Sequence, residues 1–109
     1  ADDQVAGVLL DLARQETAPR AEQASAALIA AMDAAGGPMN THPARQAGFS
    51  VLTSADVPSL LIEIGFLSSP RDLANLRDPV WRAVMAGAMS DGILAWRAAD
   101  LAQRPLVRQ

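Results

Sequence analysis

The residues best suited to chemistry in this chain are one glutamate set in an apolar run and one histidine in a loop. Glu63 lies within Pro58-Ser59-Leu60-Leu61-Ile62-Glu63-Ile64-Gly65-Phe66-Leu67-Ser68-Ser69-Pro70. A carboxylate enclosed by such a run needs a partner, a metal or a raised pKa, because burial disfavours its charged form. Strand alternation sends Leu60, Ile62, Ile64 and Phe66 to one face and Leu61, Glu63 and Gly65 to the other, with Gly65 leaving space beside the carboxylate. His42 is the only histidine and there is no cysteine. Thiol nucleophiles, disulfides and CxxC sites are therefore excluded. A zinc site built within the chain would have one imidazole, so metal chemistry needs ligands from elsewhere. His42 reads more simply as a solvent-exposed loop residue.

The elements that must position Glu63 follow from local signals. The run over 60–66, bounded by Pro58 and Ser69-Pro70, reads as a strand buried on both faces. Phe49-Ser50-Val51-Leu52 reads as a second short strand, and the spacer 53–57 is too short for a parallel crossover. Upstream, Asp2-Asp3 opens a helix over 4–16 with Val5, Val8, Leu9, Leu12 and Ala13 on one face, stopping before Pro19. An Ala-rich helix over 21–35, with Leu28 and Met32 on one stripe, is terminated by Gly36-Gly37-Pro38. Ser69 and Pro70 supply the N-cap and first position of a short helix ending near Leu76, with Asp72 in its first turn. The Asp and Arg residues between Arg71 and Asp78 read as a solvated face. Asp78-Pro79 opens the longest helix, over 80–99, with Trp81, Val84, Met85, Ala88, Met89, Gly92, Ile93 and Trp96 on one side. That stripe makes core packing the reading for both tryptophans, in preference to sugar stacking.

The 109 residues are one domain's worth, and half of them are apolar, which is enough to build a core. The net charge of -3 and nine unclustered basic residues argue against a nucleic-acid surface. No apolar run reaches the length of a membrane span, and no signal peptide is present. Four amphipathic helices need a sheet to cover, yet only two strands are legible, and a two-stranded sheet is marginal alone. Further strands are expected from chain not present here.

Arg45-Gln46-Ala47-Gly48-Phe49-Ser50-Val51-Leu52, followed by Asp56-Val57-Pro58 and the run from Ser59 to Pro70, resembles the C-terminal half of zinc-dependent N-acetylmuramoyl-L-alanine amidases. These are the cell-wall amidases of the cell-separation type. Val8-Leu9-Leu10-Asp11-Leu12-Ala13-Arg14 and Thr17 are similar to the helix that follows the regulatory insertion of that family, so the resemblance covers about residues 4 to 96. It implies an α/β fold: the C-terminal portion of a mixed-sheet amidase domain flanked by helices over 1–99, incomplete on its own, with a tail over 100–109.

The resemblance also implies hydrolysis of the amide between N-acetylmuramic acid and L-alanine, a periplasmic location, and peptidoglycan as partner. A protein activator adjoining the 4–16 helix and a missing N-terminal half complete the implied partners. In the family two His and one Glu hold zinc, while a further Glu on a late strand helps activate the attacking water. Glu63 matches that last position. Zinc is thus the implied cofactor with its ligands in the missing half, and Glu63 is the implied catalytic residue. Nothing in this chain matches the zinc ligands, His42 does not align with one, and Ser69 stands where the family often has Asn. Arg45 reads as a hydrogen-bonding loop residue, with a role in the site as the alternative. The rival reading is a non-catalytic module of amidase-derived fold, kept for binding cell-wall material or for association.

Overall fold

The computed structural model describes residues 2–40, 43–44 and 54–108. These form three helices in chain order: α1 (Asp2–Ala34), α2 (Pro70–Arg77) and α3 (Pro79–Arg108). The helices expected at 4–16 and 21–35 are one continuous α1 that runs straight through Pro19. Proline has no N–H for the carbonyl of Gln15, a loss that normally kinks or breaks a helix. Two tertiary anchors bracket the defect. Thr17 donates its single hydroxyl proton to the Ala55 carbonyl at 2.7 Å. Arg20 makes a two-pronged ion pair with Asp100 of α3, Nε to Oδ1 at 2.7 Å and Nη2 to Oδ2 at 2.9 Å. Packing overrides the local break.

The far end of α1 stops where glycine permits it. Gly36 takes a φ of 86°, the left-handed region that costs a glycine nothing. The Gly37 N–H then donates to the Met32 carbonyl and the Gly36 N–H to the Asp33 carbonyl, both at 2.9 Å, closing a Schellman motif. Ser69 and Pro70 start α2 as the sequence predicts, and α3 continues beyond the expected Ala99 to Arg108.

α1 and α3 make the core of the molecule through small residues. Ala24 and Leu28 of α1 and Met85, Ala88 and Gly92 of α3 are buried, with Trp81, Met89 and Trp96 half-buried beside them. Gly92 is where the helices approach most closely. A Cβ built there would stand 3.1 Å from Leu28 Cα and 3.2 Å from the Ala27 carbonyl oxygen, both backbone atoms that cannot swing aside. At Gly87, on the exposed side of the same helix, a Cβ would meet nothing. The same chemical change should therefore have opposite signs at the two positions. Gly87→Ala should raise the unfolding free energy by about 0.5–1 kcal/mol, through helix propensity alone. Gly92→Ala should lower it by about 1–2 kcal/mol, because the helix axes must part. Urea denaturation of the two variants checks this.

The α/β mixed-sheet expectation is overturned. Among the described residues there is no strand and no sheet, and all regular structure is helical. Residues 60–66, expected as a strand buried on both faces, have no regular structure, with Leu61, Ile62, Ile64 and Phe66 respectively 49%, 39%, 41% and 54% exposed. A strand is made by exchanging N–H and C=O bonds with a neighbour, and no such neighbour exists among the described residues. The strand expected at 49–52 lies outside them.

Candidate functional site

The segment that carries Glu63 crosses the α1–α3 pair. Its start is fixed at buried Ala55, whose carbonyl takes the Thr17 hydroxyl. Leu60 and Ile62 line an apolar cavity of about 220 Å³ together with Leu28, Ile93 and Trp96. Leu61 lines a wider groove of about 980 Å³ that runs along α1 past Thr17, Ala21 and Ser25. Leu60 borders both spaces, while Ile62 borders the cavity and Leu61 the groove, and these last two side chains stay exposed.

Glu63 is exposed, and among the described residues no hydrogen bond or ion pair holds its carboxylate. The enclosed carboxylate expected from the apolar run is a solvent-facing one. The space expected beside it at Gly65 is also filled, because a Cβ on Gly65 would come within 3.1 Å of Asp72 Cβ.

Asp72 is the carboxylate that the structure does bury, at 6% exposed. Ser69 caps α2 by accepting the Asp72 N–H, and Pro70 opens the helix. Asp72 Oδ2 reaches back to accept the Phe66 N–H at 3.0 Å, while Oδ1 pairs with Arg71 at 3.1 Å. The arrangement resembles a capping box whose return bond lands three residues ahead of the cap. The expectation that Asp72 belongs to a solvated face is therefore corrected. The spacing Ser69-x-x-Asp72 carried the signal, in a form shorter by one methylene than the usual Glu.

The Phe66 N–H holds the Asp72 carboxyl below its ordinary range, with help from Arg71 and against the opposing effect of burial. A carboxyl whose pKa is lowered by folding stabilises the folded state above its unfolded pKa of about 3.9 and loses that contribution as pH falls through the folded value. The urea midpoint of the native chain minus that of Asp72→Asn should be constant at neutral pH and shrink steadily on acidification below about pH 4.

A second polar cluster joins the two long helices. Trp96 Nε1 donates to the Arg20 carbonyl at 3.0 Å, next to the Arg20–Asp100 pair. The hydrogen bonds that Arg20 donates to Asp100 raise its pKa further, so the guanidinium stays charged at every working pH. No local pattern announces this pair, whose members are 80 positions apart.

His42 and Arg45 lie outside the described residues. Among the described residues no group of three or more His, Cys, Asp or Glu is placed to hold a metal ion. These side chains do not fit a zinc centre. No helix among them is long and apolar enough to cross a membrane.

The family profile described as N-acetylmuramoyl-L-alanine amidase matches residues 2–95. The "Probable cell wall amidase LytH" of Staphylococcus epidermidis is 36% identical over 55 residues, which is 50% of this chain and 19% of that protein. The protein of the same name from Staphylococcus aureus is 32% identical over 57 residues, covering 52% of this chain and 20% of that protein. The matched part thus spans about a fifth of the length of these curated relatives. No solved structure matches the chain.

Proposed function

Because this chain belongs to the N-acetylmuramoyl-L-alanine amidase family, we propose that it acts in cleaving the amide between N-acetylmuramic acid and L-alanine in peptidoglycan, with Glu63 as the catalytic base. The observation that supports this role is the exposed Glu63 carboxylate, which no group among the described residues engages, on a segment tied to the helices at Ala55 and Phe66. A structural carboxylate is spent on its partners, as Asp72 is. Glu63 is exposed to solvent and so is open to a water molecule.

In the reaction the water oxygen bonds to the amide carbon while Glu63 removes a proton from that water. The C–N bond then breaks, and the same proton passes to the departing nitrogen of L-alanine. The products are a carboxylic acid on the sugar and a free amine on the peptide. Zinc enters this reading as the family's cofactor, with ligands outside the described residues, and would supply Lewis-acid activation of the water when bound.

The same reading carries a periplasmic location, where the substrate lies, and work within a longer hydrolase. It also carries a protein activator, for which the exposed Val5, Val8, Leu9 and Leu12 stripe of α1 offers a surface. The test is Glu63→Gln in the full-length protein, scored as new L-alanine amino termini released from purified peptidoglycan. Full turnover in that variant would rule the assignment out.

A further inference from the structure

We propose that Asp72 is the positioning residue for Glu63: its carboxylate latches Gly65 and Phe66, and this latch fixes where the glutamate stands. The inference rests on the reading of Glu63 as the base.

Glu63 makes no bond of its own among the described residues, so its place is decided by the backbone that bears it. Among the described residues that backbone has no ladder partner to hold it. Two side chains from the helices hold it instead. Thr17 grips Ala55 at the near end, and Asp72 grips Phe66, three residues beyond Glu63, at the far end.

The Asp72 contact works in two directions. The Phe66 N–H is drawn to Oδ2 at 3.0 Å, and the Gly65 backbone rests so near the same side chain that a Cβ would lie 3.1 Å from Asp72 Cβ. One contact pulls and the other stops. Asp72 is itself fixed by the Ser69 cap in the first turn of α2, and α2 packs on α3. A continuous path therefore runs from α3 through α2 and Asp72 to the residues next to Glu63. Asp72 has no need to touch substrate for this role.

The experiment uses Asp72→Ala, Asp72→Asn and Gly65→Ala in the full-length protein, with Glu63→Gln alongside. Loss of the latch lets the base drift, and a misplacement of about 1 Å costs up to about 100-fold in rate. Asp72→Ala should therefore lower kcat by about 10- to 100-fold in the folded enzyme with KM little changed. Asp72→Asn keeps an oxygen for the Phe66 N–H and should recover most of that loss. Gly65→Ala pushes the segment off Asp72 without removing the acceptor. It should lower kcat as well, and the Gly65→Ala, Asp72→Ala double variant should be no slower than Asp72→Ala alone.

Native kcat in Asp72→Ala, with only a lower unfolding temperature, overturns the inference. So does an asparagine variant as slow as the alanine one. If Asp72→Ala does not fold, Gly65→Ala decides, and unchanged kcat there is equally fatal. The two readings separate cleanly. An active Glu63→Gln removes the base and the latch together, whereas an inactive Glu63→Gln beside fully active Asp72→Ala and Gly65→Ala removes the latch alone.

Discussion

Glu63→Gln should lower amide-hydrolysis turnover of the full-length protein by about 10²- to 10⁴-fold, the range that a positioned acid–base group contributes. The unfolding midpoint should stay where it was. Glutamine has the same shape and polarity but cannot take a proton from water or return one to an amine. Ordinarily, replacing a carboxylate in an apolar run would also change stability, through lost bonds or relieved burial. Here neither applies, since the side chain is exposed and unengaged among the described residues. Large kinetic loss with no thermodynamic change is the signature of a group that serves the reaction and not the fold. A variant that loses stability in step with activity would instead mark Glu63 as structural.

The second large effect concerns the fold. Asp100→Ala should cost about 3 kcal/mol, because it removes the carboxylate that both prongs of the Arg20 guanidinium engage, in a site where that side chain is only 19% exposed. For a domain of this size such a loss lowers the melting temperature by roughly 10–20 °C. Asp100→Asn keeps one acceptor for the guanidinium and should lose less. Arg20→Met combined with Asp100→Leu should recover most of the loss, since removing both charges of a partly buried pair is nearly neutral when the space is filled. The coupling term from that double-mutant cycle separates the pair from the packing around it. Hydrogen exchange gives an independent readout. With the clasp gone, amides just after Pro19 should exchange faster, because the helix there has already lost one bond to the proline. An Asp100→Ala variant as stable as the native chain would show that the clasp holds nothing.

Features governed by near neighbours were legible in the sequence. The Gly36 stop, the Ser69-Pro70 start and most of the apolar side of α3 depend on residues a few positions apart, and the structure has all three. The continuity of α1 through Pro19 was not legible, because its cause lies in Ala55 and Asp100, far along the chain. The strand at 60–66 failed for a related reason. Alternation and apolar content describe a side-chain pattern, while a strand is a relation to a second segment. Glu63 stood out by its chemistry, yet its exposure could not be read from neighbours that look like a buried core. Asp72 shows the converse: it resembles a surface charge until Ser69, three positions earlier, is counted with it.

The clasp has a consequence for how the chain comes together. Arg20 and Asp100 are 80 positions apart, so the partner of α1 is made well after α1 itself. At roughly 5–20 residues per second, synthesis leaves Ala24 and Leu28 waiting on the order of 4–16 s for α3 to emerge. A helical segment forms within about a microsecond, so the stretches of α1 on either side of Pro19 coil long before they have anything to dock against, while their continuity through Pro19 waits for Ala55 and Asp100. Assembly is then limited by the arrival and closure of the distal end, not by the coiling of either helix. In that interval any chaperone that recognises bare alanine and leucine faces competes directly with α3.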